Sequence, residues 1–323
     1  MTNRQACCAC FFYFSTSRGK TMVYQNAQEM IGNTPLVRLG RLGVPSDVRL
    51  FAKLELANLA GSVKDRVGKY MVEDAETRGL LHPGSTIIEP TAGNTGIGIA
   101  FAALGKGYRI ICVIPTKFSE EKQQLVRALG AEVVNTPAHL GMQGASDKAK
   151  ELLRAIPGSV MLGQFTNPAN PRSHYETTGP EIWRDLEGRI DYVVLGAGSG
   201  GTFSGILRAL KERNPHIQGV LADPVGSIIG GGKHADYRIE GIGNDFIAET
   251  MDMSLVDKVI KITDDEAFQA TKLLATNEGI FAGSSSGAAL SASLRLAREI
   301  SSGTIVTVFP DRGDRYLSEH LFG

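Results

Sequence analysis

From Thr86 onward this chain alternates short β-favouring runs with stretches of helical periodicity, and that alternation restricts the folds open to it. Thr86–Ile88, Arg109–Ile114 and Glu132–Asn135 read as strands. Asn94–Leu104, Ser119–Leu129 and Gly144–Ile156 read as helices, with Gly105 and Gly130 as C-caps. A helix between successive strands returns the chain so that the strands run parallel, with helices on the sheet faces. A second set repeats the pattern, with strands at Tyr192–Leu195, Gln218–Ala222 and Thr304–Phe309. Its helices are Pro180–Glu187, Gly201–Arg213, Asp264–Glu278 and Ser285–Glu299. Ahead of both sets come a short helical stretch, Asn26–Ile31, and two strands around a Gly/Pro turn, Leu36–Leu39 and Val48–Leu54. A helix over Lys64–Arg78, closed by Gly79, follows them. The expected fold is α/β, with two three-layer domains of mainly parallel sheet and ligands in the cleft between them. Gly226–Gly243 fits neither pattern and reads as a long loop of the functional or mobile kind.

The 323 residues suffice for two ordinary domains. Glycine is abundant at 38, which in an α/β chain goes with tight turns and close approach of backbone to ligand. Lys plus Arg and Asp plus Glu number 34 each. That balance carries no basic footprint for nucleic acid or an anionic membrane, and no apolar run is long enough to span a bilayer. Cys7, Cys8 and Cys10 cluster near the N-terminus, and Cys112 lies in an apolar run as a small core residue. Without paired ligand spacing or a neighbouring histidine, no metal site is expected. This cysteine usage fits a reducing, cytoplasmic compartment. Residues 1–21 have a short apolar run and no small-residue cleavage site. They are expected to be a disordered extension, or a misassigned start ahead of Met22.

Three segments carry chemistry. Lys64, in Gly61-Ser62-Val63-Lys64-Asp65-Arg66, opens a helix, where the macrodipole disfavours a cation. A lysine amine there can condense with an aldehyde and lose its charge; alone, the hexapeptide equally suits a solvated lysine. Thr91–Thr95 turns from a strand into a helix and gathers backbone N–H groups and hydroxyls, an anion cradle sized for a small carboxylate. An ordinary N-cap turn has the same appearance. Gly196-x-Gly198-x-x-Gly201 also joins a strand to a helix, with Asp223 about twenty residues on, as in a dinucleotide fingerprint. The same turn cups a single phosphate, with Ser199 and Thr202 adding hydroxyl donors. An aldehyde and a phosphate on one cofactor describe pyridoxal 5′-phosphate, which accounts for all three segments; NAD accounts for one. Gly283–Gly287 precedes a helix and reads as a cap or as a serine facing a ring nitrogen. Asp311–Arg315 follows the last strand and reads as a site or as surface ion pairs. His139, His174 and His234 have no partners for a triad.

In order, IGNTPLVRL, GSVKDR, EPTAGNTGIGIA, KQQLVRALGAEVV, QFTNPANP, GAGSGGTFSG, EGIG, AGSSSGAA and DRGDRYLS cover nearly the whole chain from Ile31. Together they resemble the fold-type II pyridoxal-phosphate enzymes of the cysteine synthase and cystathionine β-synthase family, whose fold is that of the tryptophan synthase β-subunit. GIGIA, FSEEK and EGIG look most like bacterial O-acetylserine-dependent cystathionine β-synthases, and DRGDRYLS like type B cysteine synthases. The resemblance implies a larger cofactor-anchoring domain, 22–55 plus 167–323, and a smaller mobile domain, 56–166. It implies Lys64 as the Schiff-base lysine, Asn94 against the cofactor 3′ oxygen, and Gly198, Ser199, Gly200, Gly201 and Thr202 around the phosphate. Ser285 would face the pyridine nitrogen. Thr91, Ala92, Thr95 and Gln164 would hold the substrate carboxylate, and Gly241 would lie near the substrate amine. Ala92 departs from the serine of many relatives, which removes one hydroxyl from the carboxylate cradle.

The implied reaction is β-replacement on O-acetyl-L-serine through an aminoacrylate, by sulfide giving L-cysteine or by homocysteine giving cystathionine. Serine/threonine dehydratase-type elimination is the neighbouring alternative, and an NAD oxidoreductase using GAGSGG the distant one. A serine at the pyridine nitrogen makes a weaker electron sink than a carboxylate and favours prompt elimination. Lys233, His234 and Arg238, in the irregular loop, are candidate partners for the homocysteine carboxylate. A homodimer is implied; docking of a serine acetyltransferase is left open. Purified protein is expected to carry a visible absorbance band from bound pyridoxal phosphate. Its absence, with nicotinamide binding in its place, would return the oxidoreductase reading.

Overall fold

The computed structural model describes residues 23–319 and 321–322. The extension at 1–21, its three cysteines and the proposed start at Met22 lie outside them. The strands are β1 (Leu36–Arg38), β2 (Val48–Leu54), β3 (Thr86–Pro90), β4 (Arg109–Pro115), β5 (Glu132–Thr136), β6 (Ser159–Val160), β7 (Tyr192–Leu195), β8 (Gln218–Pro224), β9 (Lys258–Ile262) and β10 (Gly303–Phe309). The α-helices are α1 (Lys64–Thr77), α2 (Asn94–Ala102), α3 (Glu120–Ala128), α4 (Gly141–Ala155), α5 (Ala169–Ser173), α6 (Gly179–Leu186), α7 (Gly201–Lys211), α8 (Asp264–Leu273) and α9 (Ser284–Glu299).

Two sheets result, ordered β1-β2-β10-β7-β8-β9 and β5-β4-β3-β6. Every pairing is parallel except the β1–β2 hairpin. Each sheet has apolar packing on both faces, as the alternation of strands and helices requires. On the larger sheet, Leu290 and Leu296 of α9 pack on one face, and Phe203 and Ile206 of α7 on the other. On the smaller sheet, Val67 and Met71 of α1 with Ile97 and Ile99 of α2 lie on one face, and Ala145 and Ala149 of α4 on the other. Cys112 is fully buried in this core, and burial pushes its thiol up to about 12.

Two strands and one helix were not anticipated. β6 has only two residues, and β9 reads Lys-Val-Ile-Lys-Ile at the sheet edge after a loop rich in glycine. α5 runs through a π-turn, His174–Thr178, into α6, a continuity hidden by the prolines at its start. Asp264–Glu278 is one helical run as expected, but its last turn, Leu274–Glu278, widens to π geometry. Gly226–Gly243 forms no regular element.

Backbone contact joins α1 to α2 on the smaller sheet, and buried charge ties α1 to the larger one. α1 crosses α2 at Gly68 and Gly98, where a Cβ on Gly98 would lie 2.1 Å from the Lys64 carbonyl oxygen. One on Gly68 would lie 2.3 Å from the Gly98 carbonyl carbon. Next along α1, Arg66 forms ion pairs with Glu55 at 2.8 Å and with Glu181 at 2.7 Å, and Lys53 meets Glu181 at 2.8 Å. Burial alone would raise the Glu55 carboxyl, but the Arg66 charge and hydrogen bonds bring it down to about 2. A buried cluster of this kind fixes geometry more than it adds stability, and it is costly to break.

Gly98→Ala is expected to lower stability by at least about 1–3 kcal/mol, because the new methyl meets backbone that cannot rotate away. Thermal denaturation of the variant measures this, and a wild-type melting temperature would contradict the crossing.

Candidate active site

Lys64 is the first residue of α1 and Asn94 the first of α2, so the crossing at Gly68 and Gly98 brings the two helix N-termini together. The Lys64 side chain is half-buried, and among the described residues its Nζ has no hydrogen-bond partner. Loss of hydration pulls its amine down to about 8, against the opposing charges of Asp311 and Glu55. The amine is therefore partly neutral near pH 8, as a nucleophile or proton acceptor must be.

The carboxylate cradle lies at the start of α2. Thr91 Oγ1 accepts the Gly93 N–H at 3.0 Å, and Thr95 Oγ1 donates to Gln164 Oε1 at 2.6 Å. Thr91, Thr95 and Gln164 are buried, while Ala92 is half-buried. Gln164 Nε2 donates to the Pro90 carbonyl at 3.1 Å. Beneath it, the carboxylate of Glu89 accepts the N–H groups of Gly163 and Gln164 at 2.9 and 3.0 Å. Burial pushes Glu89 up to about 7 despite those bonds. Glu89 sits inside the EPTAGNT segment yet was not singled out, because its partners lie more than seventy residues away.

The glycine loop between β7 and α7 is closed in by its surroundings. A Cβ on Gly198 would sit 2.6 Å from the Gly241 carbonyl oxygen, and one on Gly201 would sit 2.1 Å from Asn170 Oδ1. Only glycine lets the loop pack this closely on Gly241 and Asn170, with its N–H groups at the start of α7, where an anion is favoured. Gly200 opens α7 in the left-handed region, with φ +80°. Asn170 Nδ2 donates to Ser199 Oγ at 3.0 Å, and Thr202 Oγ1 shares a hydrogen bond with His174 Nε2 at 3.2 Å. His174 is fully buried, and desolvation lowers it to about 3, so it stays neutral and orients Thr202 and Thr178. Ser285, the second residue of α9, is buried; a Cβ on Gly241 would stand 4.0 Å from its Oγ.

Other sequence candidates are used differently. Asp223 is occupied: its Oδ2 lies 2.5 Å from Lys261 Nζ and accepts the Gly230 N–H at 2.9 Å. That carboxylate anchors the loop and is not offered to a ribose. Lys233 and His234 are exposed. The Arg238 guanidinium stacks 4.8 Å from the Phe268 ring centroid and lines a pocket with Glu240, Ser284 and Tyr316. Asp311–Arg315 divides into an exposed pair, Arg312 with Asp314 at 2.7 Å, and two buried residues, Asp311 and Arg315, that reach Asn94. Lys122 pairs with Glu240 and lies 4.0 Å from the Tyr316 ring centroid, joining α3 to the irregular loop. Glu240, Tyr316 and Lys122 lay within recognised segments, but nothing local marked them out.

The family model described as pyridoxal-phosphate dependent enzyme matches residues 27–311. The chain belongs to that family. It is 49% identical over 301 residues to the O-acetylserine dependent cystathionine β-synthase of Bacillus subtilis, covering 93% of this chain and 98% of that protein. It is 44% identical over 304 residues to a cysteine synthase of Helicobacter pylori, covering 93% and 100%. The crystal structure of O-acetylserine dependent cystathionine β-synthase from Helicobacter pylori superposes with a TM-score of 0.91, at 44% identity, over 94% of this chain and 100% of that one. The fold is thus that of the fold-type II enzymes.

The residues present fit the cofactor. A glycine loop at the start of α7 with Ser199 and Thr202 beside its N–H groups, a lysine amine at about 8 with no hydrogen-bond partner among the described residues, and a buried serine beside Gly241 suit its phosphate, aldehyde and ring nitrogen. Uptake of pyridoxal phosphate by cofactor-free protein is expected to quicken with pH and to level off above about pH 8, as Lys64 becomes neutral. An unshifted lysine would keep accelerating towards about pH 10. The pH dependence of the uptake rate distinguishes the two.

Proposed function

We propose that this enzyme replaces the acetoxy group of O-acetyl-L-serine with a sulfur nucleophile, sulfide or homocysteine. The observation that carries the reading is the placement of the Lys64 amine, without a hydrogen-bond partner among the described residues and drawn to about 8, beside a turn suited to a small carboxylate. Bound pyridoxal phosphate supplies the electron sink that makes the substrate Cα proton acidic. Lys64 Nζ takes that proton and returns it after the carbon–sulfur bond has formed. The N–H groups of Thr91–Thr95 with Thr91, Thr95 and Gln164 hold the α-carboxylate, and Ala92 adds no hydroxyl. Gly241 leaves room for the substrate amine. Gly198, Ser199, Gly200, Gly201 and Thr202 hold the phosphate, Asn94 the 3′ oxygen and Ser285 the ring nitrogen. Acetate leaves, and the thiol or sulfide takes its place on Cβ.

Water competes with the sulfur nucleophile, so the cleft has to close. Residues 56–166 form the smaller, moving domain, and 22–55 with 167–323 the larger one. The Lys122–Glu240 pair, Ser119 Oγ on the Arg315 carbonyl at 2.6 Å and Ser318 on Glu121 at 2.7 Å are the contacts of the closed cleft. Arg238 is the partner for a homocysteine carboxylate, from the pocket it shares with Glu240. The enzyme works as a homodimer in the cytoplasm; among the described residues no helix is long and apolar enough to cross a membrane.

O-acetylserine is expected to shift the visible absorbance of the holoenzyme, and homocysteine to reverse the shift with release of cystathionine. Reversal by sulfide alone would make the enzyme a cysteine synthase, and no shift at all would overturn the donor assignment. Lys64→Ala is expected to lower kcat by about 10²–10⁴-fold, the range for a lost general base. Arg238→Ala should raise the homocysteine KM and leave the sulfide KM unchanged; wild-type homocysteine KM in alanine variants of Lys233, His234 and Arg238 alike would remove this loop from homocysteine binding.

A further inference from the structure

Asn94 has no free choice of orientation. Its Nδ2 donates to Asp311 Oδ2 at 2.7 Å, and its Oδ1 accepts from an Arg315 guanidinium nitrogen. Tyr316 donates its hydroxyl to the same Asp311 oxygen at 2.6 Å, and Arg315 also donates to the Ala60 carbonyl oxygen. Asp311, Arg315 and Tyr316 are 1%, 2% and 2% exposed. An amide held at both ends keeps nitrogen and oxygen in fixed places, which leaves one Nδ2 hydrogen to be aimed elsewhere.

The set is not economical as plain structure. Asp311 Oδ1 and Arg315 Nε are buried, with no hydrogen-bond partner among the described residues. Unpaired buried polar atoms are costly, and apolar residues of similar size would fill the same space without that cost. The Asp311 charge also opposes the lowering of the Lys64 amine, so this carboxylate acts on both residues at the crossing.

We propose that Asp311 and Arg315 are positioning residues that fix the Asn94 amide with its free N–H towards the cofactor 3′ oxygen. The inference rests on the cofactor contact assigned to Asn94 above. Asp311 and Arg315 act through Asn94, so removing them after Asn94 is gone changes cofactor binding no further.

A double-mutant cycle on the holoenzyme tests this, read by the pyridoxal phosphate concentration that half-saturates the protein and by its visible absorbance maximum. Asn94→Ala and Asp311→Ala are each expected to raise the half-saturating concentration about fivefold, the worth of one ordinary hydrogen bond. The double variant should match the worse single, with the absorbance maximum moved the same way in all three. Asp311→Asn still offers Nδ2 an oxygen and should stay within about twofold of wild type. Arg315→Lys loses the planar donor to Oδ1 and should couple to Asn94→Ala in the same manner, which keeps the test open should Asp311→Ala fold poorly. Additive effects, with a lowered melting temperature of the cofactor-free chain, would reduce Asp311 and Arg315 to structural residues and overturn the proposal. Unchanged cofactor binding in Asn94→Ala alone would overturn the Asn94 contact itself, and the proposal with it.

Discussion

Backbone contact between two helices decides where the chemistry of this protein sits. Gly68 and Gly98 let α1 and α2 touch without intervening side chains, and Lys64 and Asn94 stand at the two adjoining N-termini. Two helix dipoles converge there, so a cation is disfavoured and an anion welcome. The Lys64 amine beside that crossing loses its proton more easily because it is stripped of water, against the opposing charges of Asp311 and Glu55.

Much of the buried charge is paired off behind α1, and Asp311 and Arg315 meet the site through Asn94. The buried ions Lys53, Glu55, Arg66 and Glu181 neutralise one another behind α1. The groups proposed to face the ligand are neutral, Ser285, Thr202 and Asn94, and Thr202 rests on a histidine lowered to about 3. With the cofactor held as proposed, a low-dielectric cleft would strengthen each of these hydrogen bonds, and Ser285 would offer the ring nitrogen a hydroxyl in place of a fixed charge. Buried ions therefore set the shape of the scaffold, and neutral donors and acceptors set the electronics of the site.

Much of this was legible because motif and element coincide. The periodicity placed α1, α2, α7 and α9 to within a few residues, and the segments at their N-termini carried the site candidates. What stayed hidden depended on long-range pairing. β9 is short, with two lysines among three apolar residues at a sheet edge, where a strand needs a neighbour to be recognisable. His174 looked partnerless, since Thr202 reaches it from twenty-eight residues away. Asp311–Arg315 reads equally as a site or as surface ion pairs because the segment holds both, an exposed pair at Arg312 and Asp314 and two buried ions at Asp311 and Arg315. Asp223 satisfied a spacing rule that its actual partner, Lys261, makes irrelevant.

The link from Asn94 to Asp311 spans 217 positions, and that from Asn94 to Arg315 spans 221. On the ribosome, Lys64, the carboxylate cradle and the phosphate loop all emerge before the residues that orient Asn94 exist. A growing chain can shape both sheets and still present a loosely held amide. The last strand and the segment behind it complete the pocket as synthesis ends, when long-range contacts of this kind are slowest to form. Competence for the cofactor is in this way a late event, and a chain broken off before residue 311 keeps its lysine but not the full setting for it.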